Sequence, residues 1–472
     1  MYARGRASFI SRGVGVALIA TTALTGIVLR QAAADTLEGA LALAYQNNPQ
    51  INSQRAQTRA IDEGVGIALG GYRPKVAATI SGGEQYLDTL NRGLPPGNRS
   101  TTTQGVSTYQ IQGTQTIFNG FQTASKTRQA EMTVFGQREV LRNQEQTVLL
   151  QAATAYLNLL RDAALLDLQR NNVNVLEATL RQTRDRFTVG EVTRTDLAQA
   201  LTSLEQGRAS LHAAESQYIT SRSVYFQQIG VEPGRLAPAA PVDRFSPPTL
   251  PGALERAASQ NPLITTAMYA VDTQVQAVKA LEGALYPSLS VTTTLQKGFG
   301  SQTNATGLET LSGNAFATLA VPIYQGGAEY AQIRQAKETL GQRRIDLDTA
   351  RYSVQQAVTQ AWGQLEAAKA QIDATTAQVT SSEIALDGVR EEARVGQRTT
   401  LDVLNAQQAL VQARTALVTA QHDRLVASYT LLSSVGSLSP QVLGLRVETY
   451  DPTVHYQQVR DSWFGVRTPD GR

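Results

Sequence analysis

Few residues in this 472-residue chain are of the kinds that perform covalent chemistry, and their spacing suits none of it. The three histidines, His212, His422 and His455, are not at metal-ligand spacing, and each reads as solvated or satisfied by a neighbour. There is no cysteine, which excludes disulfides, thiolate metal sites and a lipid-anchored N-terminal cysteine, and is neutral about redox compartment. Gly64-x-Gly66 followed by Gly70 falls in a helical pattern and misses the dinucleotide spacing. No Walker-type loop is present, so any energy must come from a partner. Glu391-Glu392 reads as a solvated pair rather than an acid/base couple. The expectation is therefore no enzyme, no metal and no cofactor.

What the chain has instead is a charged turn that occurs twice. Arg186-Phe187-Thr188-Val189-Gly190-Glu191-Val192-Thr193-Arg194-Thr195-Asp196-Leu197 returns as Glu392-Ala393-Arg394-Val395-Gly396-Gln397-Arg398-Thr399-Thr400-Leu401-Asp402-Val403, an offset of 206 residues. Each copy lies between long segments with a seven-residue apolar repeat. Its glycine tolerates the left-handed backbone that a sharp reversal needs, so each is expected to turn a helical hairpin.

The repeat extends outward from these turns. Ile117 and Ile323, Leu211 and Leu417, and Gly230 and Gly436 keep the same offset. Upstream it becomes 213: Asn48-Pro49 matches Asn261-Pro262, and Pro74 matches Pro287. The change of seven lies between Pro74 and Ile117, so the first copy carries the longer loop. The organisation expected is a first structural repeat over 35–236, a Pro-rich linker over 237–251, a second repeat over 252–436 and a C-terminal tail over 437–472. Only 6% of the chain is aromatic, which suits slender helices better than a thick core.

Residues 1–34 read as a secretory signal: Arg4, Arg6 and Arg12, the apolar run Val14 to Leu29, then Ala32-Ala33-Ala34. A single transmembrane anchor is the alternative. Removing the leader takes four arginines and no acid, leaving 38 basic residues against 39 acidic, so the positive charge of the full sequence belongs to the leader. Nucleic-acid binding, which needs a retained basic patch, is not expected. No other apolar run approaches 20 residues, so any membrane crossing must use strands.

Strands are expected where the residues alternate. Over 75–87, Val76, Ala78 and Ile80 oppose Ala77, Thr79 and Ser81; over 106–118, Tyr109, Ile111 and Ile117 oppose Thr108, Gln110, Gln112, Thr114 and Thr116. The second repeat supplies strands over 288–299 and 314–323. The stretches between, roughly 88–104 and 300–313, are rich in Gly, Asn, Ser and Thr and read as solvated tips. A soluble two-hairpin sheet is one reading. Strand lengths near the ~10 residues that cross a bilayer at a tilt favour a membrane barrel, as do Tyr86, Phe118, Phe299 and Tyr324 near the ends. Four strands cannot close, because the smallest lipid-facing barrels have about eight. At least two chains must pool theirs, and three would give twelve.

Heptads follow each hairpin: Ala152, Leu159, Leu166, Val173, Leu180 and Phe187 are seven apart, and so are Val358, Leu365, Ile372, Val379, Leu386 and Ala393. The long helix, about 121–187, is answered by a return helix barely half its length. The separate helix over 50–71 makes up the difference if the two short helices stack end to end.

With these features assembled, the chain resembles the TolC-like outer membrane factors of Gram-negative bacteria. The resemblance rests on the duplicated unit, the Asn-Pro breaks, Pro74 and Pro287 before strands, Ile117-Phe118-Asn119-Gly120 and Ile323-Tyr324-Gln325-Gly326 after them, and both Val-Gly turns. It implies a mixed α and membrane-β fold, in which duplicated long helical hairpins form an α-barrel tunnel and four strands per chain contribute to a 12-stranded trimeric β-barrel. It places the barrel in outer-membrane lipid, the helices in the periplasm, and the turns, with Val189, Gly190, Val395 and Gly396, against a periplasmic adaptor protein of an inner-membrane transporter. It implies polar links at the closed tip from Thr195, Asp196 and Arg398, although Ala393 replaces a tyrosine partner and Gln421 a second arginine. It implies a constriction ring of carboxylates at Asp402, with Asn405 where the family has a second aspartate. Such a ring would favour cations. The other reading of Asp402 is a helix N-cap or first-turn acid after Thr399-Thr400; of Arg398 and Asp196, exposed charges near a turn. The function implied is the passive exit duct of a tripartite efflux pump or type I secretion system. The alternative is a structural coiled-coil or adhesin-like surface protein with no conducting pore.

Overall fold

A computed structural model of the chain describes residues 36–90, 99–300, 309–469 and 471. The leader expected over 1–34 lies outside them, as do the middles of both loop tips, 91–98 and 301–308. Each repeat opens with a short helix that ends at Asn-Pro: α1 (Leu37–Asn47) then α2 (Pro49–Leu69) in the first, α5 (Leu250–Gln260) then α6 (Pro262–Glu282) in the second. Proline cannot follow a helical residue comfortably but suits the first turn of a new helix, so one dipeptide ends one helix and begins the next. Two strands come after, β1 (Lys75–Leu90) and β2 (Arg99–Asn119), or β3 (Ser288–Phe299) and β4 (Glu309–Ala320). The long hairpins complete the units: α3 (Gln122–Thr188) with α4 (Arg194–Ile229), and α7 (Ala328–Arg394) with α8 (Thr400–Ser434). Both α3 and α7 have 67 residues, roughly 100 Å of helix.

The stacking of short helices on long ones is made by the same Asn-Pro. Asn48 accepts from Gln50 N at 2.8 Å, capping α2, while its amide donates to Gln228 O at the end of α4 at 3.1 Å. Asn261 repeats both bonds, accepting from Leu263 N at 2.9 Å and donating to Ser434 O at 2.7 Å. The two ends that would otherwise leave orphan N–H and C=O groups satisfy each other through one side chain. Around these joints lies the main core, where Tyr45, Leu149, Tyr156, Leu159, Tyr225 and Leu432 are buried. The heptad residues Val358 and Leu365 pack with Ala253 and Leu431 in a second cluster.

The strands form one antiparallel sheet in the order β1-β2-β3-β4. Its register gives the alternation a shape. Ala78, Ile111, Leu295 and Gly313 stand in one row across the sheet, and Ile80, Tyr109, Lys297 and Leu311 in another; the intervening rows are Thr79, Gln110, Gln296 and Ser312, and Ala77, Gln112, Thr294 and Asn314. One face is therefore predominantly apolar and the other hydroxyl and amide. The apolar face is uncovered: Val76, Ile80, Leu311 and Leu319 are all exposed.

Strand ends differ from expectation. β1 runs to Leu90 rather than 87, and β2 begins at Arg99 rather than 106, because the two continue to pair for eight rows, Gly83↔Val106 to Leu90↔Arg99, beyond the last row that β3 joins. Much of the stretch read as a solvated tip is thus a hairpin standing clear of the sheet. β4 spans 309–320 rather than 314–323: Glu309 and Leu311 pair with Phe299 and Lys297, and at the other end Pro322 has no N–H to extend the ladder. A bulge at Ile117 lets Phe118 face Leu289. The expected linker 237–251 is shorter, since α5 begins at Leu250, with Thr249 as its N-cap and Pro251 in its first turn.

Beyond α8 the tail packs against the body. It carries a short helix, α9 (Pro452–Val459), which lies on α2 and buries His455 against Asp62.

Candidate functional site: the helical tip

The two turns at the free ends of the hairpins are built alike. Gly190 and Gly396 both have φ of +81°, and Thr193 and Thr399 both adopt extended backbone at the N-caps of the return helices. In the first turn Gly190 N donates to Phe187 O (3.1 Å) and Glu191 N to Arg186 O (2.9 Å); in the second Gly396 N donates to Ala393 O (3.2 Å) and Gln397 N to Glu392 O (2.9 Å). This paired 5→2 and 6→1 closure caps a helix with a glycine in the left-handed region. Val189 and Val395, one residue before, are left pointing outward and largely exposed.

Both return helices start with a capping box. Asp196 Oδ2 accepts from Thr193 N at 2.9 Å and Thr193 Oγ1 at 2.7 Å, while Asp196 N donates back to Oγ1 at 3.2 Å. Asp402 and Thr399 repeat it at 3.0, 2.9 and 3.2 Å. The Thr399 backbone N–H and hydroxyl hold the Asp402 carboxyl below its usual range, and the Thr193 hydroxyl and N–H do the same for Asp196. Both groups are thus anions at neutral pH. The first-turn-acid reading of Asp402 is realised, and its charge remains at the tip. Asn405 follows one turn later on the same helix flank, exposed.

Arg398 Nε donates to Glu392 Oε2 at 2.7 Å, so within one chain it closes across its own turn rather than reaching Thr195 or Asp196. Thr195 is exposed beside Asp196. The first turn has a similar bond with its charges exchanged and its second partner one repeat position earlier, Arg186 Nε to Glu191 Oε2 at 3.0 Å. Glu392 and Arg186 occupy equivalent positions in the repeat with opposite sign, so the two tips differ in polarity although their backbones agree. Sequence alone does not pair Glu392 with Arg398; the signal it offers is the exchange of charge between positions 186 and 392 of the two copies. Gln421 lies much farther along α8, in a cavity of about 330 Å³ beside Arg161 and His422.

Above the turns the hairpins are bolted by matching ion pairs, Arg208 to Glu177 at 3.0 Å and Arg414 to Glu383 at 2.7 Å, again offset by 206. Leu404 from α8 is buried with Val173, Leu176, Ala200 and Leu204 of the first hairpin, joining the two hairpins near their tips. This packing fixes the rotation of α8 and hence the direction in which Asp402 and Asn405 project.

A family model described as outer membrane efflux protein matches residues 40–224 and 253–437, one match for each repeat. The chain belongs to the outer membrane efflux protein family. Among relatives of this family, the outer membrane efflux protein BepC of Brucella suis is 42% identical over 96% of both chains. The outer membrane protein TolC of Escherichia coli is 26% identical over 85% of this chain and 82% of its own. A crystal structure of a membrane protein from Pseudomonas aeruginosa matches with a TM-score of 0.75 at 19% identity, covering 84% of this chain and 93% of that one. Membership of the efflux family locates the barrel strands in the outer membrane and the helices in the periplasm. Among the described residues no helix is long and apolar enough to cross a membrane.

Proposed function

We propose that three copies of this chain close a twelve-stranded barrel in the outer membrane and continue it as a helical tunnel through the periplasm. The duct is the passive exit of an efflux pump or type I secretion system, supplied by an inner-membrane transporter through a periplasmic adaptor that grips the Val-Gly turns. The observation that carries the reading is the open sheet. Among the described residues its edge strands β1 and β4 have no partner on their outer sides, its apolar face is bare, and its polar face would line a wet bore. Exposed apolar residues along the helices, Ile219 and Phe226 on α4 and Ile345, Tyr352 and Ile384 on α7, are further surface for neighbouring copies.

At the far end the turns form the gate. Asp402 from each chain supplies one of three carboxylates at the constriction, and Arg398, Thr195 and Asp196 stand beside it as the groups able to link neighbouring tips. Purified protein weighed in detergent and inserted in a planar bilayer tests the reading. A trimer with steady, cation-preferring conductance is expected. A surface coiled coil gives no conductance.

A further inference from the structure

The strap that follows α8 climbs towards the membrane. Gly436 O accepts from Arg142 Nη2 and Gln146 Nε2, both at 3.0 Å. Tyr450 N then donates to Tyr45 Oη at 3.2 Å, and the Arg55 guanidinium lies 5.2 Å over the Tyr450 ring. His455 Nδ1 sits 3.0 Å from Asp62 Oδ2, and Arg460 pairs with Glu131 at 3.3 Å. Finally Arg73 Nη1 donates to Ser462 O at 2.6 Å, with its guanidinium 4.8 Å over the Trp463 ring. The contacts on the other side advance from 45 in α1 through 55 and 62 in α2 to 73 just beyond it, so the strap runs parallel to α2 and ends beside Lys75, the first residue of β1.

The strap is well seated up to that point: Leu438, Leu445, His455 and Val459 are buried. At its top, the burial stops. Trp463 is 65% exposed, Phe464 93% and Val466 100%, three large apolar side chains within four residues. Trp463 is held there by Arg73, so its exposure is a fixed presentation and not a loose end. Tyr72, half exposed, stands beside Arg73, and Arg73, Lys75 and Arg467 supply positive charge at the same level.

We propose that Trp463, Phe464 and Val466 form an interfacial anchor that enters the inner, phospholipid leaflet of the outer membrane beneath the barrel. Three properties select a lipid leaflet as the occupant. The level is that of the transition from helix to lipid-facing strand, so the patch is continuous with the barrel's apolar face. Tryptophan and phenylalanine flanked by arginine is the composition that settles where hydrocarbon meets headgroups. The nearby cations complement phosphate. In a trimer the anchor recurs three times around the barrel base, and through α9 it ties the membrane to α2 and α3 at the joints.

The inference rests on the barrel reading, and the two are separable in one sample. The chain has only two tryptophans, Trp362 and Trp463, and Trp362 lies partly buried in a helix cluster, so Trp362→Phe leaves Trp463 as sole reporter. This variant, as full-length trimer, is reconstituted in vesicles of phosphatidylethanolamine and phosphatidylglycerol, and its conductance confirms that the barrel has formed. Trp463 emission is then quenched either by lipids carrying a nitroxide near the glycerol backbone or by aqueous iodide. Quenching at least about twofold stronger from the lipid is expected for a side chain at the headgroup level. Stronger quenching by iodide places the strap end in water, and quenching by neither places it against protein; each result overturns the anchor while leaving the barrel intact. If Trp362→Phe fails to assemble, Phe464→Cys gives a unique thiol in a cysteine-free chain. A spin label there should be more accessible to oxygen than to a water-soluble nickel chelate, and the reverse order rejects the anchor.

Discussion

The Asp402 carboxylate has a local duty, the capping box with Thr399, and a charge that the box keeps in place. The two separate on substitution. Asp402→Asn keeps a side-chain acceptor for the N-cap but removes the charge, so the expected outcome is an intact trimer whose reversal potential in a salt gradient moves towards zero. An unchanged reversal potential would take Asp402 out of the constriction. The pH dependence has a definite sign. The folded carboxylate titrates below its unfolded value, so its charge and its capping contribution are both present above that value and are lost only as pH falls through the depressed one. With the box alone, cation preference should therefore stay level between neutrality and about pH 5 and fall away only in stronger acid; repulsion among three carboxylates in one ring raises the pH at which the first proton binds, so a loss that begins earlier, measured as reversal potential against pH, reports their proximity. Arg398 and Glu392 allow a second test. If Arg398 leaves Glu392 to bridge to a neighbouring tip, Glu392→Gln should make the closed conductance smaller or unchanged, whereas Arg398→Gln should raise it. Single-channel recording of both variants distinguishes the cases.

Among the elements, the Asn-Pro joints connect the most distant parts of the sequence. Each asparagine is an N-cap and a donor to the end of another helix, Asn48 across 180 residues and Asn261 across 173. Loss of a capping asparagine costs about 1 kcal/mol, and the second bond adds about as much. Asn48→Ala and Asn261→Ala should each lower the thermal midpoint, and the pair should be roughly additive because the joints share no partner. Gly436→Ala should be worse than Gly230→Ala: both glycines have positive φ, but a Cβ at 436 would lie 2.7 Å from Asn261 Cα, whereas at 230 it finds room. The α9 contact gives a third test. His455→Ala leaves Asp62 buried without its imidazole, at roughly 1–3 kcal/mol to the docked strap, and tryptic cleavage after Arg446 should quicken while the trimer persists. Much of this was legible locally. Thr193-x-x-Asp196 and Thr399-x-x-Asp402 announce capped helices, Val-Gly announces their turns, and the heptads place Ala152, Leu159 and Val358 inside. What sequence missed is non-local. An Asn-Pro shows that a helix breaks, but its second hydrogen bond depends on where α4 ends. The end of β2 depends on how far β1 keeps pairing with it, and β4 begins where the β3 ladder allows.

For the whole molecule, the sheet order decides how copies can join. The strands alternate in direction, so β1 and β4, the two edges, run oppositely. Any β4 meeting the β1 of another copy does so antiparallel, and every seam of a closed ring repeats the pairing already inside the chain. Two copies would give eight strands and a bore filled by side chains; three give twelve, wide enough to leave a wet channel. The residues near the seam are small: Ala77 and Ala78 on β1, Ala315 and Ala317 on β4. Because the protein lacks cysteine, paired substitutions between these strands form disulfides only where they are intended. A panel combining Ala77→Cys or Ala78→Cys with Ala315→Cys or Ala317→Cys should contain at least one pair that yields covalent trimers on oxidation, resolved by denaturing electrophoresis. The successful pair also reports its face of the wall. Residue 78 shares the apolar face with 315 and 317, and 77 belongs to the polar one, so the linked pair should join Ala78 to whichever of the two alanines the seam register sets opposite it, and Ala77 should link to neither. Ladders ending at dimers would select the eight-stranded ring and close the bore. Cross-links confined to single chains would mean that β1 and β4 curl onto each other, a closure too tight for four strands to enclose anything.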